Sequence, residues 1–360
     1  MPTRTLDDSA RTLVNLGFAS AELRVRTPRT NRTSTAGTRE QDTGTPPPAD
    51  GRIRIGSNTK TFTAAVVLDL VSEGGLALDT PVADHLPRFA LDRRITTRML
   101  LQNTSGVFNH TGDLNRDGTT APGLPSTGQE WVDNRFHTYH PDELVRLSLS
   151  KPPRFAPGTD WSYSNTNYTL AGLLVEDITG RPFADEVRRR ILHPLGLRHT
   201  ELPGADPDIA EPHSHGYYHY QHAGEWKTVD VTRQNTSLFF AAGDMISTTQ
   251  DLSTFFSALL SGALLPAPLL AEMRTPHPKI GYGLGLFVEE TDCGTTVLRH
   301  NGSTIGHGAL MYSTPDGSTT LTAALTSGAS EIDLATAFPR ALASLVHDVF
   351  CPDQEVDHHG

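Results

Sequence analysis

Positive charge, cysteine and long apolar runs are all scarce in this 360-residue chain. The 30 lysines and arginines face 41 acidic residues, a net charge of -11. Nucleic acid and anionic membrane surfaces are therefore disfavoured as main partners, because neither attracts an acidic protein. No apolar run approaches the roughly 18 residues that a membrane helix needs, so membrane insertion is not expected. The opening MPTRTLDDSARTLV lacks the unbroken apolar stretch of a signal peptide. The expected location is the cytoplasm, although a trimmed secreted form would read the same. The two cysteines, Cys293 and Cys351, can pair, but free buried thiols are the simpler reading for a cytosolic chain.

What is present suits a globular protein. Hydrophobic residues make up 37% and charged residues 20%, which supports a packed core and argues against disorder. At roughly 100–200 residues per domain, the length allows one large or two moderate domains.

Residues 27–51 are rich in Thr, Arg, Gly and Pro and read as an exposed loop or short edge hairpin. Ile53 and Ile55 alternate with Arg52 and Arg54, which predicts a short strand leading into Gly56. From Ser57 the period changes. Phe62, Ala65, Val66, Asp69, Leu70 and Glu73 recur at helical spacing until Gly74-Gly75. Ser57 thus opens a helix that follows a turn. Helices are also predicted at 141–149, 169–179 and 251–260, with loops at 107–140 and 205–240. After residue 280 the texture is strand-like, in GYGLGLFVEE, TTVLRHNG and GALMYSTPDGSTTLTAALTS, with PDGS as a turn. Residues 332–350 read as an apolar helix. The pattern gives a sheet with helices from both chain ends and a mostly helical middle section.

Three short motifs carry chemistry. The first is Ser57-Asn58-Thr59-Lys60. A serine hydroxyl is a weak nucleophile at neutral pH and needs a base beside it. Positions i and i+3 share a helix face, so Lys60 can reach the Ser57 oxygen. The helix N-terminus adds a positive field that favours a developing alkoxide. The second motif is Tyr163-Ser164-Asn165, where a phenol can relay a proton to a leaving group and an amide can hold a substrate. Plain packing for Tyr163 and a helix cap for Asn165 are the alternatives. The third is His300-Asn301-Gly302-Ser303 at the end of a strand-like run. A glycine there lets an extended substrate approach the backbone. The amides of Ser57 and Ser303 can together bind an oxyanion.

The order S-x-x-K, Y-x-N, H-x-G resembles the serine β-lactamase, penicillin-binding-protein and esterase superfamily, in its class C-like branch. The resemblance extends through RIGSNTKTFTAAVVLDLVSEG, ITTRMLLQNTSGV, YSNTNYTLAGLLVEDITG, AAGDMISTTQDLSTFFSALLSG and GYGLGL. Among its members these stretches are most similar to the secreted actinomycete D-alanyl-D-alanine carboxypeptidase/transpeptidases. The resemblance implies an α/β fold, an antiparallel sheet flanked by helices plus an all-helical domain. Residues 1–79 and 240–360 would form the α/β domain and 80–239 the helical one, with the site between them. It implies Ser57 as nucleophile, Lys60 and Tyr163 as proton carriers, His300 as a support for Tyr163, and Asn165 as a holder of the acyl side chain. It implies no metal and no cofactor.

Three departures bear on the substrate. The relatives place a carboxylate-gripping arginine after the G-L-G-L strand, where this chain has Phe287, followed by Val288, Glu289 and Glu290. An apolar ring does not replace a bidentate guanidinium. Their H-T-G-T reads His300, Asn301, Gly302, Ser303 here, and a tryptophan wall reads Leu238. The cysteines lie where the secreted relatives carry a disulfide. The expected function is therefore a transacylase or esterase in small-molecule biosynthesis, taking an ester or amide acyl donor and passing the acyl group to water or an amine. The alternatives are a D-Ala-D-Ala carboxypeptidase or β-lactamase, and a sensor that acylates without turnover. Two signals are set aside. Asp113, Asn115, Asp117 and Gly118 begin like a calcium loop, but the closing acid position holds Leu124. The run His213, His215, His219, His222 reads as polar loop, and His358 and His359 as a frayed terminus.

Overall fold

The computed structural model describes residues 5–115 and 118–351. Asp117, His358 and His359 therefore lie outside the described residues. The chain begins with helix α1 (Leu6–Asn15), whose start is a capping box between Thr5 and Asp8. Strands β1 (Phe18–Arg26), β2 (Asn31–Gly37) and β3 (Ile53–Arg54) lead through a 3-10 turn at Gly56–Asn58 into helix α2 (Thr59–Ser72). Helices α3 (Pro141–Leu149) and α4 (Asn165–Thr179) and the hairpin β4 (Tyr217–His222) and β5 (Glu225–Asp230) follow. The chain then runs through β6 (Ile246–Ser247), α5 (Thr249–Leu260), β7 (Phe287–Glu290), β8 (Thr296–Thr304), β9 (His307–Ser313), β10 (Thr320–Ser327) and α6 (Ala337–Phe350).

Six strands form one antiparallel sheet in the order β2-β1-β10-β9-β8-β7. Its two faces have separate cores. On one face Leu23, Leu321, Leu325 and Tyr312 meet Ala10 and Leu13 of α1 and Leu345 and Phe350 of α6. On the other, Leu298 and Met311 meet α2 and α5. Helix α2 is buried on nearly every side, and its Phe62 stacks on Phe255 of α5 at 3.6 Å. A helix covered all round needs no amphipathic stripe, which explains its apolar run from Ala64 to Leu68.

Most sequence expectations match in kind. The 27–51 segment contains the edge strand β2, and α3 covers 141–149 as read. The PDGS turn closes on Asp316, whose carboxylate accepts from the Ser318 amide at 3.0 Å. Four expectations need correction. Helix α4 starts at Asn165, four residues before Thr169, with Ser164 as its N-cap. GYGLGL is not strand; only 287–290 pairs with β8. The polar loop at 205–240 contains the β4–β5 hairpin, turned by Ala223 and Gly224, both at positive φ (51° and 82°). Two of its histidines have local partners: His215 Nδ1 lies 2.7 Å from Asp230, and the His219 ring stacks on Trp226 at 4.5 Å.

The cysteines are the fourth. Cys293 and Cys351 form a disulfide, with Cα atoms 6.0 Å apart, and neither is fully buried. The pairing replaces the free-thiol reading. Among the described residues no helix is long and apolar enough to cross a membrane.

Candidate active site

The close approach of two elements builds the centre. The turn at Gly56–Asn58 presses against β8 at Gly302 and Ser303. A Cβ on Gly302 would lie 2.6 Å from the Ser57 nitrogen, and one on Gly56 would lie 2.5 Å from the Ser303 nitrogen. Neither position tolerates a side chain, so glycine is required at both. The approach brings the Gly302–Ser303 backbone against the backbone of Gly56 and Ser57.

Lys60 is one helical turn past Ser57 and wholly buried. Its Nζ lies 3.1 Å from Ser57 Oγ, 2.7 Å from Asn165 Oδ1 and 2.7 Å from the Ala242 carbonyl. The Tyr163 hydroxyl donates to Ser57 Oγ at 2.7 Å, and Lys60 Nζ stands 4.7 Å from the Tyr163 ring centre. Burial pushes the Lys60 amine well below its ordinary value and holds the Tyr163 phenol well above its own. The dry pocket therefore favours the uncharged amine beside an uncharged phenol. An uncharged amine has two N–H groups and one lone pair. The Asn165 and Ala242 oxygens take the two donors, which leaves the lone pair for the Ser57 hydroxyl.

A second layer holds these groups. The Asn165 side chain donates to Thr111 Oγ1 at 3.3 Å, and its backbone N–H donates to Asn109 Oδ1 at 3.0 Å. His110 ties Thr166, next along α4, to the Leu238 carbonyl, at 3.0 and 2.8 Å. Burial keeps His110 neutral, with a pKa lowered to about 4.

His300 sits apart from Tyr163. Among the described hydrogen bonds none joins the two. Its Nε2 lies 3.3 Å from the Tyr282 hydroxyl and its Nδ1 2.9 Å from the Asn301 carbonyl. Burial lowers its pKa to about 3. The neutral ring therefore donates from Nδ1 to the carbonyl and accepts at Nε2. Tyr282 in turn lies 3.2 Å from the Tyr168 hydroxyl. The described hydrogen bonds of His300 thus run to a tyrosine pair rather than to Tyr163 itself.

The other predicted positions divide. Ser57, Asn301, Gly302 and Ser303 line one cavity of ≈ 530 Å³. The Asn301 amide donates to the Tyr312 hydroxyl at 2.9 Å. Phe287 lies off this cavity, 4.6 Å from the Tyr282 ring and under the Arg299 guanidinium, also at 4.6 Å. Glu289 pairs with Arg299, so it does not stand free beside Phe287. Leu238 is buried in a 3-10 turn and is not among the residues that line this cavity. Sequence reading missed Tyr282, His110, Thr111 and the Ala242 carbonyl. Tyr282 stands inside a stretch already singled out, GYGLGL, whereas His110 lies three residues past the end of ITTRMLLQNTSGV. Among the described residues Asp292, His347 and Cys351 converge as a metal donor set would, but the Cys351 sulfur is bonded to Cys293.

A family profile described as Beta-lactamase matches residues 10–345. The crystal structure of a D-stereospecific amidohydrolase from Streptomyces sp. is 36% identical, with a TM-score of 0.83 over 96% of this chain and 97% of that one. Esterase EstB of Burkholderia gladioli is 34% identical over 50% of this chain and 46% of its own length. A putative penicillin-binding protein, PbpX of Bacillus subtilis, is 26% identical over 65% and 53% respectively. The chain thus spans about half the length of these curated relatives.

Proposed function

This chain belongs to the beta-lactamase family, and on that footing we propose that it is a serine acyl-enzyme hydrolase or transacylase acting on an ester or amide carbonyl. The observation that carries the reading is the triangle of Ser57 Oγ, Lys60 Nζ and Tyr163 OH, with sides of 3.1 and 2.7 Å at the serine. The esterase and the D-stereospecific amidohydrolase among its relatives support an ester or amide as the bond attacked. Phe287 in place of a gripping arginine argues against a leaving group that ends in a carboxylate.

In this reading the Lys60 lone pair takes the Ser57 proton as Oγ bonds to the carbonyl carbon. The carbonyl oxygen becomes an oxyanion and accepts from the Ser57 and Ser303 amides. The tetrahedral centre collapses, the bond to the leaving oxygen or nitrogen breaks, and Tyr163 gives that atom its proton. The Lys60 ammonium then returns a proton to the phenolate, so one proton has moved from Ser57 to the leaving group. Water or an amine repeats the sequence on the acyl-enzyme and frees the serine. Asn165 holds Lys60 in place and offers its amide to the acyl group. The two-part division at residues 79–80 and 239–240 belongs to the same proposal.

Intact-mass spectrometry after mixing with p-nitrophenyl esters tests it. Wild type gains the acyl mass and releases p-nitrophenol; Ser57→Ala does neither and loses about 10⁴-fold or more in rate. Full turnover in Ser57→Ala would sink the reading.

A further inference from the structure

Resting on the serine-hydrolase reading above, we propose that the protein selects substrates with a bulky, uncharged, apolar acyl group, which lies in the cavity running from Ser57 to the β8–β9 turn. The cavity of ≈ 530 Å³ falls within the 300–1,000 Å³ usual for small-molecule sites. Phe18, Leu310, Ile332, Leu334 and Phe338 supply its apolar walls, and the Phe18 and Phe338 rings stand 5.5 Å apart. Among the described residues no lysine or arginine lines it, and Glu331 is its one carboxylate. An anionic acyl group would meet a like charge and no lysine or arginine among the described residues. A neutral hydrocarbon would bury surface against five apolar side chains.

Two observations assign the cavity to the acyl arm. The first is the sheet edge. Strand β7 covers β8 only at residues 296–299, so the edge from His300 to Thr304 has no strand beside it among the described residues. An extended substrate laid on that edge with its carbonyl at Ser57 has two arms. One runs past Ser303 toward the Ile305–Gly306 turn, which lines the cavity. The other runs toward Phe287. The second observation is the proton donor. Tyr163 is joined to Phe287 by a line of aromatic rings, through Trp161 at 6.4 Å and Tyr282 at 6.3 and 4.6 Å. The group that receives the Tyr163 proton lies at that end. The acyl arm takes the other direction, into the apolar cavity. Leu334, 64% exposed, forms the outer lip.

The test is kcat/KM over p-nitrophenyl acetate, butanoate, hexanoate and octanoate, with p-nitrophenyl hemiglutarate as the anionic counterpart. Wild type is expected to rise with acyl length by up to about fourfold per buried methylene and to use the hemiglutarate at least tenfold less well than the hexanoate. Leu334→Asp, at an exposed position where folding is not at stake, should flatten the rise, and Phe338→Ala should shift its maximum. A flat or falling series in an active wild type, or an unchanged slope in Leu334→Asp, overturns this proposal alone. Failure of the parent reading looks different: no ester of any length then labels Ser57.

Discussion

The amine pocket around Lys60 and the cavity beside Ser57 meet at one residue and are built by opposite means. Around Lys60 the polar atoms are specific and few. Two oxygens are fixed on the amine at 2.7 Å, and each is held from behind, Asn165 by Asn109 and Thr111, Ala242 within its own 3-10 turn. In the cavity the walls are apolar side chains contributed by β1, β9, β10 and the 328–338 segment. The first arrangement fixes a protonation state; the second offers volume. Reaction type and substrate preference therefore sit on different parts of the fold, and substitutions should separate them.

The separation is broken most severely on the amine side. Lys60→Met should lower kcat by about 10³-fold and by the same factor for short and long acyl esters, read as parallel lines in the ester series. A loss that depends on acyl length would join the two regions. Asn165→Asp sharpens the point. A carboxylate in place of the Asn165 amide stabilises the ammonium form of Lys60, so the acid limb of kcat/KM should move about 1–3 pH units upward. An unmoved limb would mean that Lys60 does not set it. Asp244, two residues past Ala242, shows what charge costs in this region. Burial raises its pKa to about 8 from 3.8, and its Oδ1 has no hydrogen-bond partner among the described residues. The folded state then holds a proton that the unfolded chain releases, so stability falls as pH rises from about 4 to 8. Asp244→Asn cannot ionise. It should exceed wild type in stability by a few kcal/mol at pH 9, on the order of 3–5, and by much less at pH 5, read from urea unfolding at the two values.

The same contrast explains what could be read from sequence. Ser57 and Lys60 are three residues apart on one helix, and Tyr163 and Asn165 two apart at the start of another. Short spacings of that kind survive in a sequence, and so did the strands and turn of β8–β10. The Ala242 carbonyl has no signature, because every residue carries one. Tyr282 stands in a stretch that looked like strand, so its contact with His300 was invisible. The β4–β5 hairpin was missed because its turn is Ala223-Gly224, not the usual Asn-Gly, and its exposed faces carry histidine and glutamine. The cavity needs Phe18, Leu310 and Leu334, residues brought together only by the closing of the sheet. Local chemistry was legible; the pocket that depends on distant segments was not.

The central claim is that burial lowers the Lys60 amine so that its uncharged form can accept the Ser57 proton. The chain has only four lysines, Lys60, Lys151, Lys227 and Lys279. A ¹³C-lysine NMR titration can therefore follow the Lys60 Cε signal directly, assigned by its disappearance in Lys60→Met. The signal should change protonation state well below the ordinary lysine range. A Lys60 signal that stays in its ammonium position up to pH 10 would contradict it.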